Sequence, residues 1–333
     1  MSYGASCEVE PTAAVRGANS CLTPVCGPQF VWYDSGMKEW KDHPENPLIE
    51  PPWPEFLLGD PCVVLPEDSP DGAWHMFANT LLGIHHFTGS DGIHWKRQGK
   101  ACPGMRAYVF KEGGVFYMFT EDFRIPMFFS RIVVRTSSDL AQWSDPVVVL
   151  EPELRWEKRL GHTTGNPCLI KTADGYRLYY SAGLAFFGDL GFCEPMYIGA
   201  ASADSVTGPF RKYPEPIISP SEDDFYRSRA AGAIKVIYDD ERKLFYGFNN
   251  GMYRDIEERT RSAILLLESD DGLEWEYVYP EPIIAPGGAG WKKALVYQLD
   301  VKRVGDEMWL WYNARSGWRF GKERIGLATC PLD

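Results

Sequence analysis

No stretch of the 333 residues approaches the roughly 20 consecutive apolar residues of a membrane-spanning helix. Residues 1–20 (MSYGASCEVEPTAAVRGANS) have neither a basic start nor an apolar core of the signal-peptide kind. The expectation from both is a soluble chain in the cytoplasm. Positive charge is also short: 34 Lys and Arg stand against 46 Asp and Glu, a net charge of −12. A nucleic-acid or anionic-membrane partner wants a basic face, so neither is expected. There is no Gly-rich phosphate loop before a helix, no HExxH and no GxSxG on a strand-to-helix turn. The six histidines (His43, His75, His85, His86, His94, His162) show no metal-ligand spacing, and neither a metal nor another cofactor is expected. The eight cysteines form no CxxC pair, and several sit inside apolar runs, as buried reduced thiols do. Helical periodicity is almost missing, with only Asp255–Arg261 (DIEERTR) reading as a brief helix.

Aromatic residues and short strand-like runs are what the chain has in quantity: 12 Trp, 17 Tyr and 18 Phe. From Leu57 an Asp-Pro enters an apolar run, a Pro-Asp-Gly turn follows, then an aromatic run, a polar break and a third run closing on SDGIHW. Runs of this length bounded by Pro, Gly and Asp are strands. The order recurs from Arg106 (RAYVFKEGGVFYMFTEDF), Gly165 (GNPCLIKTADGYRLYYSAG), near Arg229 (RAAGAIKVIYDDERKLFYGFNNG) and near Leu295 (LVYQLDVKRVGDEMWLWYNARSG). Third strands close on related turns, SSDLAQW, SADSVTGPF and SDDGLEW. Five units of one internal order predict an all-β, five-bladed β-propeller. A β-sandwich, the alternative, predicts no such order. Residues 1–27 read as a tail or wrapping arm and 28–333 as one propeller domain. Gln29–Asp34 (QFVWYD) is a candidate strand to complete the last blade and close the ring.

In a propeller, the first strand of each blade lines the central channel and the second runs back beside it. The starts of the first strands and the ends of the second therefore share one face. The starts are Asp60, Arg106, Asn166, Arg229 and Tyr297; the ends are Asn79, Glu121 with Asp122, Ser181, Asn249 with Asn250, and Asn313 with Arg315. Convergent polar groups at a channel mouth make a ligand site for a hydroxylated molecule. Glycoside hydrolysis needs two carboxyl groups across the scissile bond. Asp60 is the first candidate, and strand alternation sends one of Glu121 and Asp122 to the channel. Glu194, Asp189, Asp223 and Asp224 can reach the mouth from long loops, and so can His162. Trp53, Trp291 and Trp318 lie in loops near the same face as candidate sugar-stacking rings. The arginines, with Arg227 and Arg124 beside them, either neutralise the acidic rim or bind an anionic group bidentately.

The repeat order, Asp60-Pro61 and the closing patterns SDGIHW, SADSVTGPF and SDDGLEW resemble the five-bladed glycosidase superfamily. It holds the family 43 arabinofuranosidases and xylosidases, the family 32 fructosidases and the family 130 mannoside phosphorylases. The resemblance implies that Asp60 matches the blade-one Asp, a general base in family 43 and a nucleophile in family 32. Asn166-Pro167 stands where family 43 has an Asp-Pro that tunes the acid, and Arg229 near where its blade-four Glu acid is expected. Arg106-Ala107-Tyr108 keeps the Arg of the family 32 Arg-Asp-Pro and loses its Asp. The acid must then come from elsewhere, with Glu121 or Asp122 the first choices and Asp224 or Glu194 next. The expected activity is exo-acting hydrolysis of a small or branched saccharide, such as an arabinofuranoside, xyloside or fructoside. A phosphate-dependent phosphorylase and a non-catalytic saccharide-binding propeller are the alternatives.

Overall fold

In the computed structural model, residues 36–124, 128–287 and 290–332 are described. The first strand, β1 (Lys41–Asp42), is two residues long. Four strands follow as blade one: β2 (Gly59–Val64), β3 (Trp74–Thr80), β4 (Gly83–Gly89) and β5 (Trp95–Cys102). Blade two is β6 (Met105–Glu112), β7 (Val115–Arg124), β8 (Phe129–Ser137) and β9 (Val147–Leu150). Blade three is β10 (Thr164–Thr172), β11 (Gly175–Phe187), β12 (Phe192–Ala203) and β13 (Arg211–Lys212). Blade four is β14 (Ile234–Asp239), β15 (Leu244–Arg254), β16 (Thr260–Ser269) and β17 (Glu276–Tyr277). Blade five is β18 (Leu295–Val304), β19 (Glu307–Arg315) and β20 (Glu323–Pro331), completed on its outer edge by β1.

Each sheet is an antiparallel four-strand meander, and the inner strands touch in ring order β2, β6, β10, β14, β18 and back to β2. The repeat therefore closes as a five-bladed propeller. Lys41 and Asp42 pair with Thr329 and Ala328, so an N-terminal strand does complete the last blade. The candidate closing run Gln29–Asp34 lies outside the described residues. Asp42 also accepts a hydrogen bond from Tyr312 at 2.5 Å and pairs with Lys292.

The apolar face of each strand packs against the next blade, giving one cluster per blade interface. Phe77 and Met118 pack in the cluster between blades one and two, Phe119 and Leu178 between two and three, and Tyr179 and Leu265 between three and four. Phe248 and Leu310 do so between four and five, and Trp74 and Trp311 between five and one. All ten of these side chains are buried. The Ser-Asp turns have a local cause: Asp91, Asp139 and Asp271 each accept two backbone N–H bonds from residues two and three positions on. These Asx turns carry the chain into the outer strand. Burial opposes ionisation of Asp91, but those N–H groups and His94 win and hold its carboxyl down at about 2.

Two details depart from the sequence expectation. Every blade has a fourth strand, as short as two residues, which is too brief to show periodicity. Asp255–Arg261 is not a helix: Asp255 accepts bonds from the backbone N–H groups of Glu257 and Arg259 in a tight loop between β15 and β16. Short 3₁₀ turns occur instead at Trp156–Lys158 and Phe225–Arg227.

Candidate active site

Strand pairing slips by one residue at the channel end of β2, β6 and β10, and a left-handed residue sits at each slip. These are Asp60 (φ 54°), Arg106 (φ 57°) and Asn166 (φ 48°). Left-handed geometry is uncommon for a non-glycine residue and carries strain of order 1–3 kcal/mol. Each bulge re-aims a polar side chain at the pocket, and all three residues line a single cavity of about 760 Å³. That volume lies in the range of small-molecule sites, about 300–1,000 Å³.

Second-strand ends clasp these bulges across blade boundaries. Asn79 Oδ1 accepts from Arg106 N at 2.7 Å, and Asn313 Oδ1 accepts from Asp60 N at 3.0 Å. Ser181 Oγ donates to Gly232 O at 2.8 Å. The residues expected to bind ligand at these ends therefore spend polar atoms on holding the first-strand starts in place. Asn249 spends its Nδ2 on backbone, donating to Ala231 O and Ala233 O at 2.8 and 2.7 Å; its neighbour Asn250 lines the cavity.

Four carboxyl groups reach the cavity: Asp60, Glu121, Glu194 and Glu323. Glu121 is buried and takes Arg106 Nη1 at 2.6 Å. Room for its carboxylate exists because residue 165 is glycine; a Cβ there would overlap the Glu121 oxygens. Alternation sends Asp122 the other way, to Arg131 Nε at 3.0 Å. Glu194 comes from the channel end of the long β11–β12 hairpin. The backbone of Gly232 pairs with that of Pro195 at 3.2 Å, which sets Glu194 beside the start of blade four. Gly232 (φ 66°) offers no side chain there, and Glu194 enters from the neighbouring blade.

Burial pushes the Glu194 carboxyl up to about 7, against the pull of Arg106 and with a push from Asp60; Tyr297 and Arg315 add a smaller downward pull. Burial also raises Asp60, opposed by Arg106 and Lys235. Glu323 is pushed up to about 8 by burial, opposed by Arg315 and reinforced by Asp60 and Glu194. It pairs with Arg315 at 3.6 Å and accepts from Asn313 Nδ2, the amide that also holds Asp60. Groups that raise one another cannot all be charged, so the cavity keeps protons near neutral pH. Polar atoms on the lining, among them Thr163 Oγ1, Gln298 Oε1 and Arg315 Nε, are buried without a hydrogen-bond partner. Such groups are costly unless a ligand or water satisfies them.

Asp60, Arg106, Asn166, Tyr297, Arg315, Glu121 and Glu194 are thus brought together as the sequence suggested. Other candidates fall elsewhere. Arg229 is exposed and off the cavity, because the blade-four start is Gly232 three residues later. Asp224 caps the Phe225–Arg227 turn, bonded to Arg227 and Tyr277. Asp189 accepts from Thr260 and ties two loops together, and Asp223 is exposed. His162 is exposed and packs edge-on to Phe129. Trp53 is 93% exposed, Trp291 packs on Tyr312, and Trp318 lies under Arg259 and Arg261. Glu323 was missed, since it opens a third strand, a position outside the strand-start and strand-end rule. The side chain of Arg124 and the whole of the expected tail or arm, residues 1–27, lie outside the described part.

The ring topology and the cavity at the channel mouth set the comparison with solved structures. This is the fold of the five-bladed glycoside hydrolases. A family 62 hydrolase solved with xylotriose aligns at TM-score 0.62 and 13% identity, covering 90% of this chain and 99% of that one. A family 117 glycoside hydrolase from Zobellia galactanivorans aligns at 0.60 and 14%, covering 90% and 92%. An N-acetylgalactosamine deacetylase from F. plautii, solved with blood group B trisaccharide, aligns at 0.62 and 14%, covering 90% and 96%. Comparison with protein-family models and with curated proteins gives no match.

Proposed function

We propose that the protein is a glycoside hydrolase in which Asp60 is the base or nucleophile and Glu194 the general acid. The observation that carries this reading is Glu194 itself, a half-buried carboxyl in the saccharide-sized cavity whose proton is held up to about 7. A general acid works best with a pKa near the working pH. Asp60 lies in the same cavity with the positive charges of Arg106 and Lys235 drawing it toward the ionised form. Asp60 pushes the Glu194 carboxyl up, so an ionised Asp60 keeps the proton on Glu194, the division of labour that glycoside hydrolysis requires. Glu121, paired with Arg106, holds the guanidinium whose charge acts on both Asp60 and Glu194. The saccharide-bearing neighbours are consistent with a sugar in this cavity.

The phosphorylase alternative leaned on Arg229, which lies off the cavity, while Arg106 is engaged by Glu121. The binding-only alternative leaned on the missing family carboxylates, of which the acid is one that Glu194 can replace. Turnover of a panel of aryl glycosides and oligosaccharides tests the reading. Asp60→Asn should abolish it. Glu194→Gln should slow cleavage of poor leaving groups by about 10²–10⁴-fold, spare activated aryl leaving groups more, and remove the alkaline limb of the pH profile. Full activity in either variant refutes the assignment.

A further inference from the structure

The cavity has two unlike halves. The charged and polar strand starts line one part of it, and six rings line the rest: Phe123 and Phe192, which lie against Arg106 and Arg315, and the exposed Phe56, Phe128, Phe186 and Phe320. Phe56, Phe128, Phe186 and Phe320 are 51, 49, 58 and 95% exposed, far more than aromatic side chains ordinarily leave to water. The rings arrive from separate parts of the chain, before β2, at the β7–β8 turn, on both arms of the β11–β12 hairpin and between β19 and β20. Six rings converging from four segments on one cavity is a patch of the kind that marks a binding surface.

The chemistry of these rings says what they meet. A sugar in such a position needs hydrogen bonds to its hydroxyls, which Tyr and Trp can offer from their polar ends and Phe cannot. A hydrocarbon aglycone needs none, and aromatic pairs gain about 0.5–1.5 kcal/mol beyond the area they bury. Resting on the glycosidase reading, we infer that the substrate is a glycoside whose aglycone is an aromatic ring system, with the sugar among the carboxylates and the aglycone among the phenylalanines. The unpartnered Thr163, Gln298 and Arg315 atoms lie on the same lining and take up polar groups of the sugar. Bond cleavage transfers the Glu194 proton to the aglycone oxygen, water gives its hydroxyl to the sugar, and the remaining proton of that water passes to the Asp60–Glu194 carboxyl pair, restoring the acid.

Matched pairs of 2-naphthylmethyl and methyl glycosides test this. Their alcohols are both alkanols, so a preference reads binding rather than leaving-group ability. The 2-naphthylmethyl member should show a KM at least roughly ten-fold lower. Calorimetry with 2-naphthalenemethanol alone should show binding, and the Phe186→Ala/Phe320→Ala variant should weaken it by roughly ten-fold with an unchanged melting temperature. Both rings are exposed, so their removal leaves the core intact. Equal KM values together with no binding of the free alcohol would overturn the aromatic subsite while leaving the hydrolase standing. An octyl glycoside bound as tightly as the naphthylmethyl one would overturn the choice of a ring. Binding of the alcohol without cleavage of any glycoside would support the subsite and refute the reaction.

Discussion

Replacing Glu194 with Gln should make the protein more stable, and only above a defined pH. The carboxyl has an ordinary value of 4.5 and is held at about 7 in the fold, chiefly by burial. Between those values the unfolded chain has released the proton that the native chain keeps. Native stability therefore falls as pH rises from about 4.5 through about 7 and levels off above. At about 1.4 kcal/mol per factor of ten, the loss is about 3 kcal/mol, a large part of the 5–15 kcal/mol of a typical domain. Gln has the same shape and no charge to bury. The difference in unfolding free energy between Glu194→Gln and wild type should be near its minimum at pH 4.5 and grow by about 3 kcal/mol by pH 8. Urea unfolding across that range measures it. Comparing the two proteins at each pH cancels His86, which burial depresses to about 4 and which gives stability the opposite slope below pH 6.5. A difference that stays flat, or shrinks with pH, would refute the claim that Glu194 is held protonated by the fold.

Two further outcomes follow from the same site. Gly165→Ala should cut activity and cost about 1–3 kcal/mol, because its Cβ would drive the Glu121 carboxylate off Arg106; activity and melting temperature together check this, and a silent variant would show that the Arg106–Glu121 pair is dispensable. Among the described cysteines Cys193 alone is not buried, and it lines the cavity. Alkylation with iodoacetamide followed by peptide mass mapping should find Cys193 modified before Cys62, Cys102, Cys168 and Cys330, with activity lost in step.

The ring was legible because its signals are local. Asp-Gly and Ser-Asp turns fall at fixed places in each unit, and Asp91, Asp139 and Asp271 show that those turns are built by side-chain acceptance. Asp60, Arg106 and Asn166 were legible for a related reason, as each stands at the same point of its repeat. Where one blade departs from the repeat, position stops being a guide. At the start of blade four the cavity is lined by Gly232, so counting from the pattern lands on the exposed Arg229, and the carboxyl that reaches the cavity there, Glu194, belongs to another blade. Glu323 depends on long-range packing: a backbone bond from its N–H to Phe56 O, 267 positions away in the chain, brings it to the cavity, and no window of sequence contains that pairing.

The charged pocket draws on both extremities of the folded ring. Asp60 sits in the first blade and Glu323 in the last, joined through Asn313, and the last sheet is finished only when Lys41 and Asp42 dock on its edge. The acidic cluster is therefore not a local product of any one blade: its carboxyls meet only once the first and last sheets have come together, so closing the circle and assembling the pocket are one folding event.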